Sequence, residues 1–528
     1  MRTPLPYRRS FLAMTGVSTA AFVLGTGRAA SAEDLEGGPL PADPFTLGVA
    51  SGDPLPDGVV LWTRLAPEPL AADGHGGMPR SSYAVHYEVA EDERFARIAA
   101  KGRVTATAEL GHSVHAEVHG LRAGREYFYR FKAGGHLSPV GRTKTAPDPR
   151  SRVEAFRFAT ASCQAWYHGF FTAYRHMADE DLDMVLFLGD YIYEYGITAA
   201  NWRRQGQALP PAPHNADVST LEQYRLRYSL FRTDPDLQRI HAHVPWVVTT
   251  DDHEVVNNYA DDRDEYGTPP SDLLRRRAVA YRAFYENLPL RSASRSHGPD
   301  LPLHRRLRWG RLADIDVLDT RQYRDFYPAG AVIDDSPERL DPKRTILGGR
   351  QERWLYDGLR RSQATWNVLA QQVVMAGIDR DTGPGELYSN DQWDGFPANR
   401  DRLYAAMRRY DIANPVVLTG DVHHHIAIEH KADWKDPDSA TIATELVGTS
   451  IGSDGDGAEN DAYGPLWLAN RHVKLYNARR GYLSCTMTPE RLTSEFKTVP
   501  YVTRPGAPVN VLARFVTEAG RPGLNREV

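Results

Sequence analysis

Cysteine is almost missing from this chain. There are two among 528 residues, which excludes a disulfide-built scaffold and leaves one conceivable bridge, Cys163 to Cys485. Lysine is scarce too, 8 of the 63 basic residues, so arginine is the default cation and a lone Arg says little about anion binding. Past the N-terminus no apolar run approaches the roughly 20 residues of a membrane span; the longest, 184–189, is a strand's length. Positive charge is not in excess: the formal net charge of −5 argues against a nucleic-acid-binding domain. What is present suffices for a sizeable core, with 41% hydrophobic and 25% charged residues, and this excludes wholesale disorder. At about 150 residues per domain, the length suits two to four domains, or one large catalytic domain with an attachment.

The N-terminus carries Tyr7-Arg8-Arg9-Ser10-Phe11-Leu12, a mild apolar stretch to Gly27, and Ala30-Ser31-Ala32. A basic start, a short apolar segment and a small-residue site predict a cleaved secretory signal peptide over 1–32, with a membrane anchor as the alternative. Paired Arg before Phe-Leu resembles the twin-arginine type, whose Tat export machinery passes folded chains. The expected destination is extracellular or cell-wall associated, with no membrane span left after cleavage. Cleavage removes four Arg and no acid, taking the formal charge from −5 to −9. Export of a folded chain suggests a cofactor inserted beforehand.

Residues 33–44 form a loose linker in this reading. From 45 to 147, short β-type runs alternate with Gly, Pro and Asp turns, which predicts an all-β sandwich of the fibronectin/Ig-like kind. The segment from Leu121 to Tyr127 reads as the turn into a late strand of such a domain. From 150 to 528 strands alternate with amphipathic helices, expected over 273–288 and 351–359, which is α/β composition. The loops 196–218 and 452–464 are expected near the catalytic face.

Four buried strands each run into a metal-binding type of residue. One ends at Ser162-Cys163, one at Gly189-Asp190 with Tyr193 following, one at Asp251-Asp252-His253-Glu254, and one at Gly420-Asp421-Val422-His423. In an α/β sheet the carboxyl ends of strands converge on one crevice, where ligands bind. Gathered anions repel unless cations neutralise them. Cys163, Asp190, Tyr193, Asp252 and Asp421 offer five negative charges beside neutral His423. Two zinc ions would leave that set anionic toward a phosphate ester. One trivalent ion with one or two divalent ions would balance it. Phenolate and thiolate favour iron (Fe3+), while carboxylates suit calcium (Ca2+) or magnesium.

Gly189-Asp190-Tyr191-Ile192-Tyr193, Asp251-Asp252-His253-Glu254, Gly420-Asp421-Val422-His423 and Ser162-Cys163 resemble the alkaline phosphatase D (PhoD-like) family of metallophosphoesterases. The segment from Phe45 to Pro54, the run from Leu318 to Arg324 and Trp393-Asp394-Gly395 extend the resemblance over nearly the whole mature chain. It implies a four-layer α/β/β/α metallophosphoesterase sandwich behind the β-domain, and an Fe3+ site accompanied by Ca2+. It also implies a C-terminal helix over the active site, so 515–524 is expected to be a capping segment. The Asp-x-x-Tyr pattern is similar to that of purple acid phosphatases, in which the Asp bridges two metals. By that pattern Asp190, Tyr193, Cys163 and His423 hold iron, and Asp190, Asp252 and Asp421 hold the divalent ion. The sequence departs from that pattern. Cys163 stands where a carboxylate is usual, Asp252 where Asn is usual and Asp421 where His is usual, and no His lies around 371–373. Oxygen donors in place of His are what calcium requires.

Each residue also has a plainer role. Cys163 has the alternative of bridging to Cys485, because disulfides persist outside the cytosol. Asp252 is the stronger ligand of its pair; Asp251 binds a second calcium or caps the turn. His424 and His425 stay open, since strand neighbours point to opposite sides. Arg321 is the candidate for a phosphate oxygen, against a structural role. Asn257 and Asn258 read as turn residues.

The expected activity is hydrolysis of phosphate esters by a metal-bound hydroxide attacking in line, with His253 orienting the phosphate or protonating the leaving oxygen. Substrates are small phosphomonoesters or diesters, with phospholipid (phospholipase D activity) or teichoic acid as the alternative. A secreted, non-enzymatic binding protein with a structural metal site is the remote one.

Overall fold

The computed structural model describes residues 40–330 and 332–527; the signal segment 1–32 and residues 33–39 of the linker lie outside the described residues. Two β-sheets stack face to face, each built on a parallel core. In the first, Phe156–Ala161, Met184–Phe187 and Trp246–Val248 run parallel. In the second, Ala313–Val317, Trp366–Ala370, Pro415–Thr419 and Thr441–Val447 do. These strands are buried on both faces, which is why they read as unbroken apolar runs.

The period of two decides which layer each side chain joins. Met184 and Leu186 point between the sheets and meet Val416, Leu418 and Val368 there. Val185 and Phe187 point outward, onto Tyr228 and Phe231 of the helix Leu221–Arg232 and Phe284 of the helix Pro270–Asn287. On the far side Leu369 and Val417 pack on Leu355 and Leu403 from the helices Gly348–Arg361 and Pro397–Arg409. The order is α/β/β/α, and each buried Leu, Val or Phe contributes roughly 1.5–3 kcal/mol. The helix expected over 351–359 falls inside Gly348–Arg361, and the one expected over 273–288 matches Pro270–Asn287 except for Leu288, which is extended.

One strand ties the sheets together. Val473–Met487, 15 residues long, pairs antiparallel with His425–Lys431 in the second sheet and then with Phe156–Ala161 and Arg491–Val499 in the first. It thereby sets the spacing between Cys163, just past one of these partners, and His423, just before another.

The β-domain has one sheet of Val49–Leu55, Gly58–Arg64 and Ser113–Val118, and a second built from Tyr83–Ala90, Ile98–Ala106, Glu126–Ala133 and Gly141–Lys144. Val59, Leu61, Val85, Tyr129 and Phe131 fill its core. The Tyr127 hydroxyl accepts the Arg122 amide at 2.9 Å, a tyrosine corner at the turn expected there. This domain is joined to the catalytic sheet by backbone pairing: Gly52 lies in parallel register with Trp246. A Cβ on Gly52 would sit 2.5 Å from the Pro289 carbonyl oxygen, so glycine is required at that approach.

The C-terminal segment departs from expectation. Instead of a helix over the site, Asn510–Glu518 and Arg521–Arg526 form an antiparallel hairpin that extends the first sheet beyond Arg491–Val499. Ala513 and Phe515 alternate into the core between the sheets, a period of two that a helix would break. Phe515 meets Phe496 edge-on at 5.8 Å. Pro522 and Gly523 are also poor helix formers. No helix among the described residues is long and apolar enough to cross a membrane.

Candidate metal centre and active site

The loops that follow the central strands carry the candidate donors in a strained backbone. Cys163 (φ 58°), Asp190 (φ 60°), Asp421 (φ 63°) and His423 (φ 58°) all lie in the left-handed region. Each such residue costs on the order of 1–3 kcal/mol, a strain that collects at functional sites. Gly189 (φ 106°) brings two of these loops into contact: a Cβ there would lie 2.4 Å from that of Asp251. Buried Glu254 then clamps them, accepting the amides of Asp190 (3.2 Å), Tyr191 (2.6 Å) and Asp251 (2.7 Å). Burial pushes its carboxyl up to about 7 in spite of the three amides.

Three overlapping groups of donors result. Cys163, Asp190 and His423 form one; Asp190, Asp252 and His253 a second; Asp251, Asp252 and Asp421 a third, with ligand atoms within 4.8 Å of one another in each. Asp190 and Asp252 each belong to two groups, so the groups form one chain of sites. The Tyr193 hydroxyl joins the first, donating to Asp190 Oδ2 at 2.9 Å and lying 3.0 Å from His423 Nε2. His423 Nδ1 is held 2.6 Å from Asp454 Oδ2, which leaves Nε2 facing the cluster. A carboxylate behind the ring is the usual support for a metal-binding histidine. His253 is held in the same manner, with Nδ1 2.7 Å from Glu194 Oε2 and its ring 4.1 Å from that of Tyr193.

Burial sets the electrostatics. It drives the thiol of Cys163, the phenol of Tyr193 and the carboxyls of Asp190, Asp251 and Asp421 upward, with neighbouring carboxylates adding to the effect. Asp252 goes the other way: burial opposes its charge, but Arg321, His253 and the backbone amides that bond it favour the carboxylate more. His253 is held well above the usual imidazole range: burial opposes its charge, but Glu194, Asp252 and Asp190 favour it more. Two buried carboxylate oxygens, Asp190 Oδ1 and Asp251 Oδ2, have no hydrogen-bond partner. A buried acceptor left without a partner is costly unless a ligand takes it up.

All seven expected metal-site residues and His253 therefore come together. Arg321 reaches the same cluster, but the substrate-binding role expected of it is corrected. Its side chain is 0% exposed and locked in ion pairs with Asp251 (2.5 Å), Asp391 (2.6 Å), Asp421 (3.3 Å) and Asp252 (3.7 Å). It is the internal counter-charge of the cluster. The bridge between the two cysteines is absent as well. Both are free thiols, and Cys485 sits in a core strand with Sγ 3.7 Å from Ser494 Oγ.

His424 and His425 turn away from the donors, to Asp461 (3.1 Å) and the Lys497 carbonyl (3.0 Å). Gln372 is structural, bonded to Thr249 and Leu318, and Asn258 is a turn residue whose amide donates to Asp252 Oδ2 at 2.6 Å. Sequence reasoning missed Glu194, Asp391 and Asp454. Asp454 had a signal, since it lies in the Gly/Asp loop expected at the catalytic face, and Glu194 follows Tyr193 directly. Asp391 had none.

Comparison with known proteins agrees with this geometry. The PhoD-like phosphatase family pattern matches residues 158–496, and that family's N-terminal domain pattern matches 30–147. Alkaline phosphatase D of Bacillus subtilis (strain 168) is 46% identical over 485 residues, covering 92% of this chain and 82% of the relative. A solved structure of PhoD superposes with a TM-score of 0.88 at 46% identity, over 93% of each chain. The purple acid phosphatase PPD1 of yellow lupin shares the fold at 12% identity, with a TM-score of 0.51 over 85% of this chain and 71% of that one. With its donor cluster at the strand ends and this likeness over nearly its full length, the chain belongs to the PhoD-like phosphatase family and is a phosphoester hydrolase.

Proposed function

We propose that the protein is an exported hydrolase of phosphate mono- and diesters that works through a mixed iron–calcium centre. The observation that carries this reading is the convergence of thiol, phenol, imidazole and carboxylate donors, with two carboxylate oxygens left without partners. This donor set fits the metals. Cys163, Tyr193, His423 and Asp190 would hold Fe3+, and Asp190, Asp251, Asp252 and Asp421, all oxygen donors, would hold Ca2+. When bound, the ions withdraw charge from the phosphoryl oxygens and acidify the attacking water.

The chain's own groups do the rest. Glu194 takes Nδ1 of His253, so Nε2 is the nitrogen free to face the substrate, and a His253 nitrogen lies within 4.8 Å of oxygens of Asp190 and Asp252. From there it orients the phosphate or hands a proton to the leaving oxygen. Glu254 and Arg321 keep the donor loops and their charges in place. The Arg8-Arg9 segment supports export in the folded, metal-loaded state.

The test is hydrolysis of a nitrophenyl monoester and a bis-nitrophenyl diester by protein purified without chelator, with metal analysis and a visible spectrum. Folded Asp190→Asn and His423→Ala variants should lose nearly all activity on both. A phenolate–iron pair should colour the protein, and Tyr193→Phe should remove the band. A colourless, iron-free and fully active enzyme would overturn the iron assignment.

A further inference from the structure

The enclosure of Arg321 leaves the substrate's phosphoryl oxygens without their expected cation. The cluster has an open side: Asp421 and His423 keep 16% and 19% of their side-chain surface, against 1% and 4% for Asp251 and Asp252. A ligand therefore enters past Asp421 and His423. Most arginines around the cluster are committed. Arg324 pairs with Asp391, Arg400 with Asp394, and Arg480 donates to the His423 carbonyl and Ser450.

Arg380 is different. Its backbone is fixed on both sides. Its own amide donates to Leu387 at 2.8 Å, the Asp379 amide to Asn470 at 3.0 Å, and the Ile378 amide to Asp394 at 2.9 Å. Asp379 and Asp381, the residues flanking it, line a separate cavity of about 340 Å³ with Trp434 and His472. The half-buried Arg380 guanidinium lies 5.5 Å over the ring of Trp467, on the helix Gly464–Leu468. It makes no hydrogen bond or ion pair with any described residue; burial lowers its pKa, and the charges of Asp394, Asp421 and Asp391 only partly offset this. It is thus a positioned cation, with all the donors of its fork unspent, and its stacking partner Trp467 belongs to the apolar cluster against which Val422, the residue after Asp421, packs.

We propose that Arg380 binds the non-bridging phosphoryl oxygens of the substrate, the role that the sequence pattern suggested for Arg321. The inference rests on the phosphoester reading of the adjacent centre. Planar, two-pronged recognition of phosphate is what a pre-placed guanidinium supplies. Stacking on Trp467 holds it without using those donors.

The test uses metal-loaded holoenzyme and inorganic phosphate as the probe, titrated calorimetrically into wild type, Arg380→Gln and Arg380→Lys. Loss of the guanidinium should weaken phosphate binding roughly 10- to 100-fold and raise KM for a nitrophenyl monoester in parallel. Lys should recover part of the affinity. Metal content and Tm should stay at wild-type values. Phosphate affinity within about twofold of wild type in Arg380→Gln would overturn the inference. So would a fall in Tm or metal content, which would assign Arg380 to the scaffold. A wild-type holoenzyme that neither binds phosphate nor cleaves either ester overturns the functional reading itself, and this inference with it.

Discussion

The carboxylate of Glu194 holds His253 by Nδ1 at 2.7 Å, and its other oxygen accepts the Asn257 amide at 2.8 Å, so the acid is itself fixed to the loop it orients. Partners of this kind, one shell behind a reacting group, typically matter 10- to 100-fold in rate or metal affinity. Glu194→Gln keeps the shape and one acceptor while removing the charge. It should lower kcat by about 10- to 100-fold with phosphate affinity and metal content near wild type. Steady-state kinetics with metal analysis check this; an unchanged kcat would show that the ring needs no support from Glu194.

Arg321 is the buried positive charge among four carboxylates. Burial alone would lower its pKa, but Asp251, Asp252, Asp391 and Asp421 hold it far above the usual value. Removing one partner from a buried ion network costs about 3–5 kcal/mol. Arg321→Met should therefore lower Tm and divalent-ion content together, and Arg321→Lys should do so less. A residue that only bound substrate would raise KM and leave Tm unmoved, so thermal unfolding decides between the two roles.

Acid should loosen the junction of the two domains. His115 lies on the β-domain strand Ser113–Val118, stacks on Tyr285 at 4.4 Å, and directs Nε2 to the carbonyls of Tyr285 (2.9 Å) and Leu288 (3.1 Å). Burial lowers its pKa from 6.5 to about 4. The folded state thus binds this proton less readily than the unfolded chain does. Its contribution is full above pH 6.5 and is lost as pH falls from 6.5 toward about 4, worth up to about 3 kcal/mol. His115→Gln retains a donor but does not titrate. The fall of Tm between pH 6.5 and 4 should be shallower in that variant; an identical slope would refute the assignment.

Much of the site was legible because its donors sit at fixed offsets from strand ends, and a buried parallel strand announces itself as a short apolar run. Asp190 and Tyr193 behind 184–189, and Asp421 and His423 behind 415–419, are cases of that rule. The supporting residues obey no such offset. Asp391 reaches Arg321 from 70 positions away, and Asp454 reaches His423 from 31. The C-terminal hairpin escaped for a related reason. Its alternation is short, and only pairing with Arg491–Val499 makes it a strand.

By itself the sequence determined the α/β composition of the catalytic part and the residue types offered as donors, because periodicity and residue chemistry are local properties; the four-layer order came with the family resemblance. Only the tertiary structure decided which cation is fully enclosed in ion pairs and which is half-buried with its donors unspent. Arg321 and Arg380 carry the same side chain, and nothing in their neighbouring residues distinguishes a buried counter-charge from an open anion receptor. That distinction belongs to the space around each guanidinium, filled by four carboxylates in one case and bordered by Trp467 in the other.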